Sequence, residues 1–118
     1  MPGKLSTHVL DTANGCPAKG MKIELWSLAG ERRSLIASIY TDSEGRTDKP
    51  LLSADKMAAG EFELVFFVGE YFAAKTSTLP LPPFLDKVPV RFGIADAGAS
   101  YHVPLIVSPW GYSTYRGS

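Results

Sequence analysis

At 118 residues, 45% of them hydrophobic, the chain is long enough for one core and short for two, so it reads as a single domain. Twelve Lys+Arg balance twelve Asp+Glu and no basic cluster exceeds Arg32-Arg33, so the positive field that a phosphate backbone requires is missing. No apolar run approaches the roughly 18 residues of a membrane span, no secretory signal is visible, and the lone Cys16 cannot form an internal disulfide; the expectation is a cytoplasmic protein with neither nucleic acid nor membrane as partner.

Eleven glycines and nine prolines punctuate short runs of alternating polarity, the pattern of an all-β sandwich or barrel. The first run, Leu5 to Asp11, sets Leu5, Thr7 and Val9 on one face and Ser6, His8 and Leu10 on the other. An Ala13-Asn14-Gly15 turn leads to Met21 to Leu25, which alternates cleanly, and Ala29-Gly30-Glu31 separates that run from Leu35 to Tyr40. After the Asp42 to Gly45 turn the next strand is Glu61 to Phe66. Glu70 to Lys75 holds good helix formers and is the single helix expected. Leu79-Pro80-Leu81-Pro82-Pro83 reads as an extended connection, because prolines supply no amide to a ladder or helix. Val88 to Ile94 and Tyr101 to Ser108 complete the strands, and a Pro109-Trp110-Gly111 turn opens the tail.

The run Tyr101 to Ser108 places Tyr101, Val103, Leu105 and Val107 toward a core. Its other face, with His102, Pro104, Ile106 and Ser108, lacks the charged residues of a solvent-washed face such as that bearing Lys22 and Glu24. Cover by a second subunit is the economical explanation, and a net charge of zero removes one barrier to self-association. In the tail, alternation puts Tyr112, Thr114 and Arg116 on one face and Ser113 and Tyr115 on the other.

Polar groups able to do chemistry are few. His8 and His102 are the only histidines, both within strands, where each alone reads as a hydrogen-bonded core or interface residue. Arg46 alone reads as a solvated loop arginine. A zinc site would need Cys16 as third ligand, and nothing in the sequence lowers that thiol's pKa for nucleophilic work; neither metal nor cofactor is expected. There is no Gly-rich phosphate loop and no nucleophile elbow. Together, two histidines, an arginine and a terminal tyrosine and serine are equipment for metal-free hydrolysis, since histidine takes a proton from water near neutrality and arginine offers forked donors to an acyl or ureido oxygen.

Three stretches carry a resemblance: Leu5-Ser6-Thr7-His8-Val9-Leu10-Asp11 with Thr12-Ala13-Asn14-Gly15; Gly45-Arg46-Thr47-Asp48 with Pro50-Leu51-Leu52; and Tyr101-His102-Val103-Pro104-Leu105 with the run from Ser108 to Ser118. Over essentially its whole length the sequence resembles the transthyretin-related proteins that are 5-hydroxyisourate hydrolases. The terminal Tyr115-Arg116-Gly117-Ser118 is the most specific piece, separating the hydrolases from transthyretin, the hormone carrier of the same fold. The resemblance implies a transthyretin-like sandwich of two four-stranded sheets with one short helix. It also implies a homotetramer, a dimer of dimers, with active sites in the channel between dimers. The implied reaction opens the 5-hydroxyisourate ring by water at an amide-type C–N bond, giving 2-oxo-4-hydroxy-4-carboxy-5-ureidoimidazoline in urate breakdown, with no cofactor. By the same resemblance His8, Arg46, His102 and Ser118 are catalytic, and His8, Arg46, Tyr115, Arg116 and Gly117 contact substrate. One histidine activates water, the other orients substrate or relays the proton, and the resemblance leaves open which is which. Cys16 in a variable turn and the proline-rich loop from Leu79 to Asp86 are the departures, and neither touches a motif residue.

Two rivals share the sandwich. A carrier of a planar small molecule would bind without turnover, and an immunoglobulin-like scaffold module would be a monomer with a solvated His102 face.

Overall fold

The alternating runs fold as strands, and the computed structural model describes residues 3–118, with Met1 and Pro2 outside the described residues. In chain order the elements are β1 Lys4–Asp11, β2 Cys16–Pro17, β3 Lys22–Ala29, β4 Arg32–Tyr40, β5 Leu52–Ser53, β6 Gly60–Phe67, α1 Val68–Ala73, β7 Lys87–Ile94, β8 Tyr101–Ser108 and β9 Gly111–Thr114. One sheet runs β4-β3-β6-β7, antiparallel throughout, and the other runs β2-β1-β8-β9 with β5 also paired to β1. The expected sandwich of two four-stranded sheets is what the chain forms, with the two-residue β5 added on the edge of β1 that also carries β2. The pair at the centre, β1 and β8, is parallel and joins the two ends of the chain.

Period-two alternation decides which side chains meet between the sheets. Leu5 and Val9 of β1 and Val103, Leu105 and Val107 of β8 face Ile23 and Leu25 of β3 and Phe62, Leu64 and Phe66 of β6, all buried. Each such side chain contributes about 1.5–3 kcal/mol through removal from water, which is why these alternating positions fix the register of both sheets.

The helix begins two residues earlier than expected. Gly69, which precedes the expected start at Glu70, lies inside α1 and donates its N–H to Asp86 O at 2.8 Å. A Cβ there would meet Asp86 Oδ1 at 2.9 Å and its Cα at 3.0 Å, so the glycine serves the close approach of the following loop. Val68, Tyr71 and Phe72 are buried beneath it. A single turn of 3₁₀ helix at Ala54–Lys56, which sequence reading did not anticipate, follows β5.

Two buried acids tie the frame together. Asp11, 1% exposed, accepts from Asn14 N at 2.9 Å, Asn14 Nδ2 at 2.7 Å and Tyr71 Oη at 2.7 Å, closing the turn after β1 and holding α1 to the sheet. Burial alone would raise its pKa, but the hydrogen bonds from Asn14 and Tyr71 outweigh burial and hold the carboxyl below its ordinary value; burial and then Asp11 push the Tyr71 phenol up. Glu63 accepts from Arg33 at 2.9 Å and Arg91 at 2.8 Å across three strands, the Arg33 guanidinium stacking on Trp26 at 4.0 Å.

Candidate active site

Because β1 and β8 are parallel neighbours in the register Ser6 with His102 and His8 with Pro104, the outward faces of the two strands merge. Their histidines, two positions offset, share that face with Cα atoms roughly 8 Å apart by strand geometry. Both are half-buried, in keeping with the partly covered face read from the sequence.

Arg46 arrives from the other edge of β1. The turn before it is closed by Asp42, whose Oδ1 accepts from Glu44 N at 2.9 Å and Arg46 N at 3.0 Å, while Asp42 N donates to Arg46 O at 2.7 Å. Gly45 then presses the turn onto the strand: its carbonyl accepts from Val9 N at 2.8 Å. Its φ of +76° lies in the left-handed region, and a Cβ there would sit 2.3 Å from Val9 O, so no other residue fits. The docked turn also fixes His8, whose Nε2–H donates to Glu44 O at 2.9 Å and leaves Nδ1 with the lone pair. Arg46 is exposed at this open face and lines a small cleft, about 170 Å³, with Lys4, Ser6 and Asp48.

His102 is the most constrained of the three. Ser6 Oγ lies 2.8 Å from its Nδ1, and Nε2 has no partner among the described residues. Burial lowers its pKa first, and the Arg46 cation and His8 lower it further, so the ring is neutral at neutral pH.

The tail closes on the same histidine. β9 pairs with β8 from Gly111 to Thr114, and the same register resumes at Gly117, whose N–H donates to His102 O at 2.7 Å. A Cβ on Gly117 would meet His102 Cδ2 at 2.7 Å, so the chain lies flat against the ring and places Ser118 just beyond it. Tyr115 alternates onto the outward face with Gly117, and is exposed. Arg116 goes the other way: its guanidinium stacks on Tyr101 at 4.1 Å and donates to Ser100 O at 3.2 Å. A larger groove of about 360 Å³ is lined by Val90, Phe92, Val103, Thr114, Tyr115 and Arg116 and contains neither histidine, so neither of these two expected substrate contacts is brought to the histidines within one chain. No group of three or more His, Cys, Asp or Glu side chains among the described residues is arranged to hold a metal ion.

Two participants escaped the sequence reading. Ser6 was visible only as a neighbour of His8 on one face, and Gly45 only as a turn residue. The arrangement supplies a neutral imidazole, a cation beside it, a second imidazole and a tail that fixes the first, a set suited to water activation at a polarised acyl group.

The chain is similar in sequence and fold to proteins already known. The chain is 57% identical over 116 residues to 5-hydroxyisourate hydrolase 2 of Rhizobium meliloti, covering 98% of this chain and 97% of that protein. The crystal structure of an (S)-allantoin synthase matches with a TM-score of 0.93 and 48% identity over 99% of this chain, which spans only 44% of that longer chain. Transthyretin from Sparus aurata matches with a TM-score of 0.85 at 25% identity, over 97% of this chain and 96% of that one. The model of the HIUase/Transthyretin family matches residues 5–117, and the chain belongs to that family.

Proposed function

We propose that this chain hydrolyses 5-hydroxyisourate, opening the ring at an amide-type C–N bond to give 2-oxo-4-hydroxy-4-carboxy-5-ureidoimidazoline. The observation that carries the reading is His102: held neutral beside Arg46 and His8, clamped by Ser6 and Gly117, and open at Nε2. The names and high identity of the curated relatives support a hydrolase over a carrier, although transthyretin shares the fold.

In this reading the substrate's acyl oxygen lies against the Arg46 guanidinium, which stabilises the charge that develops there. Nε2 of His102 takes a proton as water attacks the acyl carbon. The same proton passes to the departing ring nitrogen as the C–N bond breaks, so water's hydroxyl ends on the new carboxyl group and its proton on nitrogen. His8, with Nε2–H held by Glu44 O, directs its Nδ1 lone pair toward a substrate N–H. Gly117 holds the tail in place and Ser118 completes the floor. Tyr115 and Arg116, the latter turned toward Tyr101, contact substrate only where a second subunit brings their groove to the site. A homotetramer, a dimer of dimers, covers the outward face, and the enzyme acts in the cytoplasm. Among the described residues no helix is long and apolar enough to cross a membrane.

The test is a coupled assay in which urate oxidase generates 5-hydroxyisourate in situ and its decay is followed spectroscopically. Rapid decay, lost when residues are added after Ser118, is the expected result. Decay at the spontaneous rate with folded protein sinks the hydrolase and promotes the carrier. Sedimentation at the mass of one chain sinks the tetramer.

A further inference from the structure

The geometry points to Ser6 as the positioning residue for the water-activating histidine: from the neighbouring strand its hydroxyl accepts the Nδ1–H of His102 and so presents the Nε2 lone pair to the substrate. The inference rests on the reading of His102 as the base.

Three observations converge on Ser6. It stands opposite His102 in the parallel register, so the strand pairing itself sets the distance, 2.8 Å from Oγ to Nδ1. The ring's other neighbour is Gly117, whose backbone passes so near Cδ2 that a Cβ would not fit, so the ring is flanked on two sides and open at one nitrogen. Ser6 also lines the small cleft that Arg46 borders, so the residue that meets His102 lies at the same opening as the cation.

A hydroxyl suits this place better than the carboxylate that commonly orients a histidine. It accepts from Nδ1–H in both the neutral and the protonated ring, so the proton that Nε2 gains and loses in each turnover leaves the Ser6 bond unbroken. A carboxylate would do the same but would draw the pKa up, against the lowering that burial, Arg46 and His8 impose. The charged and titratable groups acting on the ring are Arg46 on the docked turn and His8 on β1, with Lys4, Asp48 and Lys49 bordering the cleft beside Ser6 and the carboxylate expected at Ser118 on the tail; Arg116 points away.

The experiment compares wild type with Ser6→Ala, Ser6→Thr and Ser6→Asp in the coupled assay across pH, and reads the tautomer of His102 from ¹⁵N-histidine spectra of the free proteins. Wild-type His102 is expected as the Nδ1–H tautomer. Ser6→Ala should lower kcat by about tenfold or more, leave KM within about twofold, and convert His102 to a mixture of tautomers. Ser6→Thr keeps the hydroxyl and should restore both signals, and Ser6→Asp should keep the tautomer while moving the acid limb of the rate profile to higher pH. An unchanged kcat and tautomer in Ser6→Ala overturns the inference, as does a wild-type His102 that carries its proton on Nε2. Failure of the base reading is distinguishable: His102→Gln would then retain activity, whereas a failure confined to Ser6 leaves His102→Gln inactive.

Discussion

Gly117→Ala separates a tail that shapes the site from one that merely ends near it. The φ of Gly117 lies outside the left-handed region, so alanine is excluded by space and not by backbone conformation. Its Cβ would stand 2.7 Å from His102 Cδ2, closer than such contacts allow, with Cγ at 3.4 Å and Cβ at 3.5 Å in ordinary contact. Two relaxations are open. The ring swings from Ser6 at 2.8 Å, or the tail peels away and forfeits the Gly117 N–H bond to His102 O at 2.7 Å. Either costs about 1 kcal/mol of stability, since one hydrogen bond or one off-rotamer side chain is at stake, and a domain of this size should melt only a few degrees lower. Catalysis should suffer far more. Displacing a general base forfeits about 10²- to 10⁴-fold in rate, or about 2.7–5.5 kcal/mol of transition-state stabilisation. The coupled urate oxidase assay gives kcat and a circular-dichroism melt gives stability on the same preparation. A kcat within about twofold of wild type, from protein carrying the bulkier residue, would refute the clamp that the tail exerts on His102.

Three other variants probe separate parts of the frame. Because the His102 pKa lies below its ordinary 6.5, the acid limb of kcat/KM should have its midpoint below 6.5; Arg46→Gln, by removing a cation that with burial disfavours imidazolium, should shift that limb upward while lowering the plateau. A limb that does not move would show that Arg46 has no electrical hold on the base. Gly45→Ala forces a Cβ into Val9 O and a side chain into φ +76°, so it should lower stability by about 1–3 kcal/mol and lower activity with it, since Arg46 and the His8 acceptor ride on that turn; retained activity at a lowered melting temperature would detach the turn from catalysis. Tyr71→Phe removes one of three donors to Asp11 and should cost about 1–2 kcal/mol with per-molecule activity intact. The depressed Asp11 pKa contributes stability above the ordinary value of 3.8 that is lost as pH falls, so the melting difference from wild type should narrow under acid; a difference that widens would show that the carboxylate is not what Tyr71 holds.

Most of the fold was legible because alternation is a direct record of burial. The four positions read as core in β8 are the buried ones, and Leu5, Thr7 and Val9 share the buried face of β1, whereas β6 is buried on both faces from Phe62 to Phe67. The two-residue β2 and β5 left no such record: they exist because the edge of β1 offers unpaired groups to whatever passes, and two residues hold no period. The helix boundary slipped at Gly69 because helix propensity counts glycine as a breaker and knows nothing of Asp86 packed against it. In the site, the faces of His8 and His102 followed from parity within each strand. What parity could not supply was that β1 and β8 are parallel neighbours in the one register that sets Ser6 against His102. That pairing spans most of the chain, and only tertiary structure expresses it.

The site therefore has one organiser, the strand β1, with a different edge for each cargo. One edge pairs with β8 and brings His102, with the tail in register behind it. The other receives the Gly45 turn and brings Arg46, while β1 itself carries Ser6 and His8. Three segments remote in sequence are set at fixed spacing by backbone hydrogen bonds to β1 and β8, with the Asp42 carboxylate closing the turn that carries Arg46. The electrostatics follow from the same placement. A carboxylate beside His102 would raise its pKa and repel the oxyanion of a ring-opening reaction, whereas Arg46 lowers the first and attracts the second. In the proposed reaction the cation that adds to burial in disfavouring imidazolium would also stabilise the developing oxyanion, and β1 carries the Gly45 turn that holds it there.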